Sequence, residues 1–124
     1  MAMMPPSEGE PPFRAERGLV DGVNVVAVLG EIDLVTASLL AAELVRAGEH
    51  GRDVAVDLSG TTFIDSTGLH ALISAQRALS EQDLRLAVVY APGTQPASLF
   101  GFVAADGMFD LHTSRAAAIA ALRG

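Results

Sequence analysis

Apolar and polar positions change period along the chain, and these changes predict the element order ββαβαβαβα. The runs FRAERGLV and VNVVAVLG flank Asp21-Gly22, a dipeptide that favours the turn of a β-hairpin. The second run is apolar almost throughout, which is typical of a central strand covered on both faces. DVAVDL and LRLAVVY predict two further strands, and MFDLH predicts a small edge strand. The sheet is therefore predicted to have about five strands.

Helical spacing of apolar residues separates these strands. The first stripe, which Gly48 is placed to end, consists of Ala37, Leu40, Ala41, Leu44 and Val45. The second stripe runs to about Gln82 and consists of Leu69, Leu72, Ile73, Gln76 and Leu79. ASLFGFVAADG predicts a short helix, and Thr113 or Ser114 is placed to cap a final Ala-rich helix. Strands that alternate with helices predict an α/β domain with right-handed crossovers.

Length and composition limit the possible functions. The 124 residues suit one domain, and four of the six prolines fall at the start, which predicts a disordered leader at 1–12 and a domain at 13–124. Without cysteine the chain has no disulfide scaffold, thiolate nucleophile or Cys-bound zinc. A net charge of −7 argues against a nucleic-acid binder, and no apolar run is long enough to span a bilayer. We therefore expect a soluble, cytoplasmic protein that binds neither nucleic acid nor membrane.

The stretch TTFIDSTGLHALI begins as the end of a strand and continues as a helix. Ser66 and Thr67 therefore fall at a helix N-terminus, outside the carboxyl end of a strand, where ligands of open α/β sheets tend to bind. One interpretation is structural, because Asp, Ser and Thr are preferred helix caps. The other is functional, because an exposed hydroxyl at a helix start can carry a phosphate that the surrounding N–H groups accommodate.

Catalysis at this stretch is disfavoured by the sequence. Asp65, Ser66 and His70 have the residue types of a hydrolase triad, but the serine is not in a G-x-S-x-G elbow. The three histidines show no metal-ligand spacing, and no phosphate-binding or dinucleotide glycine motif is present. We expect a protein that is not an enzyme and needs no cofactor.

The sequence resembles the STAS family, and within it the stand-alone bacterial anti-sigma factor antagonists. Three segments carry the resemblance in order: LGEIDLVTA, VAVDLSGTTFIDSTGLHAL and GFVAADGMFDLHTSRAAAIAAL. The second contains the family's phosphorylation motif, usually D-S-[ST]-G-[LI], and is fairly specific. Together the segments cover roughly residues 13–123. The family fold implies a mixed central sheet with helices packed mainly on one face.

The resemblance implies a regulator that switches partners. In the family, the unphosphorylated antagonist binds an anti-sigma factor that is itself a serine kinase, which frees the sigma factor for transcription. The kinase then phosphorylates the antagonist on the serine after the motif aspartate and releases it, and a phosphoserine phosphatase restores it. We expect the antagonist to be a monomer.

Carried over residue by residue, the resemblance makes Ser66 the phosphoacceptor. It also implies a partner surface that consists of Asp33 at the first strand–helix junction together with Asp65, Ser66, Thr67, Gly68 and His70. Two departures bear on which kinase fits this surface. His70 stands where relatives often have glycine, and the loop APGTQPAS lacks the basic residue that relatives often carry.

An alternative makes the domain a scaffold or sensor subunit that is never phosphorylated. Such a subunit would bind a protein, a lipid-transport component or a nucleotide. The adjacent hydroxyls of Ser66 and Thr67 weigh against it, because a structural cap does not need two of them.

Overall fold

The computed structural model describes residues 13–103 and 107–123, so the predicted leader at 1–12 lies outside the described residues. Along this part of the chain the elements are β1 (Phe13–Val20), β2 (Val23–Ile32), α1 (Ala37–Ala47), β3 (Val54–Asp57), β4 (Thr61–Ile64), α2 (Ser66–Ser80), β5 (Leu86–Val89), α3 (Gln95–Val103), β6 (Asp110–His112) and α4 (Arg115–Arg123). The predicted α/β class and the alternation of strands with helices are confirmed.

β1 and β2 form the predicted hairpin around Asp21-Gly22. The two strands are antiparallel, with Val20 opposite Val23, so the turn has two residues. Asp21 has φ 51° and Gly22 has φ 82°, and a two-residue turn that matches the strand twist needs positive φ at both positions. The Asp-Gly dipeptide thus fixes the register of the first strand pair.

The sheet contains six described strands, one more than the sequence predicted. Its order is β1-β2-β3-β5-β6, with only β1 antiparallel to its neighbour, and β4 pairs with β2 beyond the end of β3. The segment TTFI, which the sequence predicts to be the end of a strand, is a separate strand, β4. β3 and β4 pair with successive parts of β2, and within the β2–β4 pairing Thr62 is an extra residue of β4, because Gly30 pairs with Thr61 and Glu31 with Phe63.

The helices pack mainly on one face, as the resemblance implied. The larger core cluster joins α1, α2 and α3 to one face through buried residues that include Leu40, Leu72 and Phe100. On the other face a smaller cluster joins α4 to the sheet, with Ile119 as one of its members. Ser114 caps α4, since its hydroxyl accepts a hydrogen bond of 3.1 Å from the Ala117 N–H. The carboxyl ends of β2 and β4 lead into α1 and α2, and we call the segments 31–36 and 61–70 at these ends the open edge of the sheet.

Gly48 ends α1 as predicted, but the reason is space rather than backbone conformation. Its φ is −91°, which any residue adopts. A Cβ at this position would collide with the Leu79 side chain of α2 and approach Leu84 at 3.2 Å. The glycine therefore allows α1 and α2 to pack closely where α1 stops.

Candidate functional site

Two aspartates follow two paired strands at the open edge of the sheet. β2 ends at Ile32 and β4 ends at Ile64, and these residues are partners in the parallel register. The Asp65 N–H donates to the Ile32 carbonyl at 3.2 Å, so the ladder continues for one more residue. Asp33 and Asp65 therefore lie side by side, about 4.8 Å apart at the backbone from the usual strand spacing. This register places Asp33 beside the motif, and its part in a partner surface stays a prediction.

Asp65 is the residue that caps α2. Its Oδ1 accepts hydrogen bonds from the Thr67 hydroxyl at 2.5 Å, the Thr67 N–H at 3.0 Å and the Gly68 N–H at 3.1 Å. The bond from the Thr67 hydroxyl, followed by that from the Gly68 N–H, lowers the pKa of the Asp65 carboxyl below its ordinary value. Asp65 is thus a carboxylate held in place at neutral pH, and its side chain satisfies N–H groups at the start of the helix.

Asp33 organises a similar turn before α1. Its Oδ1 accepts from the N–H groups of Val35 at 3.0 Å and Thr36 at 3.1 Å. The buried Thr36 hydroxyl donates to the Glu31 carbonyl at 3.1 Å and accepts from the Asp33 N–H at 2.9 Å. The edge therefore carries two neighbouring turns, each held by an aspartate and a threonine.

The two adjacent hydroxyls of the motif are in different situations. The Thr67 hydroxyl is used by the Asp65 cap, and Thr67 is only partly exposed. Ser66 is exposed, and no hydrogen bond joins its hydroxyl to another group in the described part of the chain. A structural role accounts for Thr67 and leaves the Ser66 hydroxyl free for chemistry.

Gly68 sets how closely α2 approaches the sheet. A Cβ on Gly68 would lie 2.6 Å from Cγ1 of Ile64 and 2.7 Å from Cγ2 of Ile32, and both isoleucines are fully buried. Contacts below 3.0 Å do not occur for a relaxed side chain. The glycine of the motif is therefore needed for packing, and it holds Ser66 directly over the ends of β2 and β4.

The far edge of β4 is closed by a side chain. Gln95, the first residue of α3, donates through Nε2 to the Ile64 carbonyl at 2.9 Å and accepts through Oε1 from the Ile64 N–H at 2.8 Å. The amide group thus makes the two hydrogen bonds that a neighbouring strand would make. We did not predict this role, because nothing in APGTQPAS distinguishes a pairing glutamine from any polar loop residue.

The family model described as "Mlab, STAS domain" matches residues 17–113. The chain belongs to the STAS domain family. The anti-sigma-B factor antagonist of Bacillus subtilis (strain 168) is 33% identical over 57 residues, which are 46% of this chain and 52% of that protein. The match thus spans about half the length of this curated relative.

Solved structures agree with the family. An anti-sigma factor antagonist from Mycobacterium paratuberculosis has a TM-score of 0.78 at 27% identity, with 90% of this chain and 95% of that chain covered. The Bacillus cell fate determinant SpoIIAA, solved in its phosphorylated form, has a TM-score of 0.59 at 20% identity, with 85% and 95% covered. The STAS fold predicted from the sequence is confirmed, and the relatives are anti-sigma factor antagonists.

The remaining predicted site residues of this STAS domain do not form a hydrolase triad. His70 is exposed on the second turn of α2, and no hydrogen bond joins it to Ser66 within the described chain. The Asp65 carboxylate already caps the helix and orients no imidazole. Within residues 13–103 and 107–123 we find no cluster of three or more acidic or histidine side chains that could hold a metal, and no helix there is long and apolar enough to cross a membrane.

A third aspartate at a strand end has a structural role. Asp57 ends β3 and is 7% exposed, and its Oδ2 accepts from Nε and Nη2 of Arg115 at 3.0 and 2.7 Å. Burial alone would raise the pKa of the Asp57 carboxyl, but hydrogen bonds from Ser59 and the charge of Arg115 outweigh burial and lower it. This ion pair fastens the start of α4 to the sheet, and no local sequence pattern predicts it because the partners are 58 residues apart.

Proposed function

We propose that this STAS domain is a phosphorylatable anti-sigma factor antagonist and that Ser66 is its phosphoacceptor. Unphosphorylated, it binds an anti-sigma factor with serine kinase activity in the cytoplasm, and phosphorylation of Ser66 releases it until a phosphatase removes the phosphate. The observation that carries the proposal is the difference between the two motif hydroxyls. The Thr67 hydroxyl donates to the helix cap, whereas the Ser66 hydroxyl is exposed and makes no hydrogen bond within residues 13–103 and 107–123. The similarity to anti-sigma factor antagonists supports the same role.

The charge around Ser66 explains how a phosphate would act. The segments 31–36 and 61–70 that form this edge contain Glu31, Asp33 and Asp65 but no Arg or Lys. A phosphate adds about −1.5 to −2 charges. The dipole of α2 favours it by only about 0.3–1 kcal/mol at an exposed helix start. With no cation on these segments to pair with, the phosphate chiefly increases the negative potential of the edge. It therefore acts on partner binding more than on the fold.

The partner surface in this proposal consists of the open edge. Asp33 and Asp65 each hold a fixed backbone turn. Gly68 sets how closely α2 approaches the sheet, and His70 is exposed one helical turn beyond Ser66. Because both carboxylates already accept several hydrogen bonds from their own turns, the surface is organised before the partner arrives. Association then requires little ordering of this surface.

The test is a phosphorylation assay with each serine-kinase anti-sigma factor of the same genome. The protein is incubated with ATP and each kinase, and the added phosphate is located by mass spectrometry. We expect one phosphate on Ser66, none on Ser66→Ala, and normal incorporation into Ser74→Ala, which removes another exposed serine of α2. Phosphate on Thr67 instead of Ser66 would contradict the proposal. Binding without any phosphate transfer would favour the scaffold or sensor role.

A further inference from the structure

Two large aliphatic side chains are uncovered at the edge that carries Ser66. Leu34 is 75% exposed and Val35 is 76% exposed, the highest values for Leu, Ile or Val among the described side chains. They are consecutive residues of the turn before α1. Adjacent exposed aliphatic residues are less common than single ones and mark contact sites more often.

This exposure does not result from a loosely held loop. The N–H groups of Val35 and Thr36 donate to the Asp33 carboxylate, and the Asp33 N–H donates to the Thr36 hydroxyl. The turn is therefore fixed at both ends, with Leu34 and Val35 held at its outer side. A surface fixed in this way loses little conformational entropy when it is covered.

Leu34 corresponds in position to Ser66. Leu34 follows Asp33 as Ser66 follows Asp65, and the two aspartates come directly after the paired residues Ile32 and Ile64. The two turns thus begin one strand spacing apart. A partner that reaches the Ser66 hydroxyl also meets the apolar side chain of the neighbouring turn.

The surroundings define the chemistry of the occupant. Glu31 is exposed, and with Asp33 and Asp65 it makes the edge acidic, whereas the same segments contain no Arg or Lys. Complementarity therefore requires an apolar pocket with at least one cationic side chain at its border. An acidic or wholly polar partner surface would leave either the charge or the apolar area unmatched.

We infer that Leu34 and Val35 are the hydrophobic anchor of this protein, inserted into an apolar, Arg- or Lys-bordered pocket on the serine-kinase anti-sigma factor. The inference rests on the proposed function and adds the determinant of partner choice.

The test compares dissociation constants by isothermal titration calorimetry, using the kinase that phosphorylates Ser66. We expect Leu34→Ala to weaken binding by about 10-fold or more, as central apolar contacts do. The control is Leu19→Ala, which removes another exposed leucine, 58% exposed, next to the Asp21-Gly22 turn at the opposite end of β2, and should change affinity by less than about twofold. Glu31→Gln should reduce the salt dependence of binding if a cation borders the pocket.

Each outcome decides between defined alternatives. A kinase that phosphorylates Ser66 and binds Leu34→Ala as tightly as the parent overturns this inference alone. Failure of every candidate kinase to bind overturns the proposed function and the inference with it. If the parent protein sediments as a dimer and Leu34→Ala as a monomer, the anchor serves a second copy of the chain, and the assignment to the kinase is wrong.

Discussion

Replacement of Gly68 by alanine tests the packing on which the site depends. The added Cβ would lie 2.6 and 2.7 Å from methylene and methyl carbons of Ile64 and Ile32, which are fully buried. Both are β-branched, so they cannot turn away by a simple rotamer change. Overpacking of this kind costs about 1–3 kcal/mol, from which the better helix propensity of alanine subtracts about 0.5–1 kcal/mol. Because both contacts would be shorter than 3.0 Å, the upper half of the overpacking range applies, and we expect a net loss of about 1–2.5 kcal/mol in the free energy of unfolding.

Urea denaturation followed by circular dichroism measures this loss, which corresponds to a fall of about 4–10 °C in Tm for a domain of this size. The matched control is Gly101→Ala in α3, where a Cβ meets nothing within 4 Å and the substitution should stabilise the protein by about 0.5–1 kcal/mol. If Gly68→Ala is as stable as the parent while Gly101→Ala behaves as expected, the reasoning about close approach is refuted. Since α2 must move away from the sheet to accept the methyl group, phosphorylation of Ser66 should also slow.

Three further changes probe other parts of the structure. Gln95→Ala leaves the N–H and carbonyl of Ile64 without partners and should cost about 1–2 kcal/mol in urea denaturation, whereas a loss under about 0.3 kcal/mol would mean that water replaces the amide. Asp57→Asn should lower the free energy of unfolding by about 1–2 kcal/mol at pH 7. This figure is smaller than for a fully buried ion pair, because the Arg115 side chain is half exposed and solvent screens its charge. Because the pKa of Asp57 is lowered in the folded state, its carboxylate adds stability above the ordinary pKa of 3.8, and this stability is lost as pH falls through the folded-state pKa. The stabilities of the parent and Asp57→Asn should therefore converge in acid, and a difference that stays constant with pH would contradict the argument. Gly22→Ala should destabilise the hairpin by about 1 kcal/mol, because φ is 82° there, and thermal melting measures the loss.

Local chemistry made most of the fold predictable from the sequence. The Asp21-Gly22 turn specified a hairpin because few dipeptides adopt two positive φ values. The apolar stripe of α1 marked that helix because its spacing repeats within a few residues, whereas the glycine after it is needed for the tertiary approach of α2. The short strand β4 was not predicted because burial does not alternate along its four residues, and only its pairing with β2 makes it a strand.

The site was predictable only as far as its motif extends. Asp65 and Ser66 are consecutive, and a capping aspartate followed by an exposed hydroxyl follows from the chemistry of a helix start, whereas the role of Gly68 depends on packing against the sheet. The unequal engagement of the two hydroxyls depends on side-chain geometry that spacing does not encode. The contribution of Gln95 depends on the tertiary approach of α3 to β4 across 31 residues, so no local pattern reports it.

The side chain that closes β4 gives the proposed phosphoacceptor an unusual kinetic environment. Elsewhere in a sheet, an amide proton exchanges with solvent only when strands separate, which requires local unfolding. The Ile64 amide is held by Gln95 alone on that side, and rotation of one side chain releases it. Partly exposed side chains rotate in picoseconds to nanoseconds. Hydrogen exchange at Ile64 should therefore be much faster than in β3 or β5, while β4 stays paired with β2 through the Ile32 carbonyl.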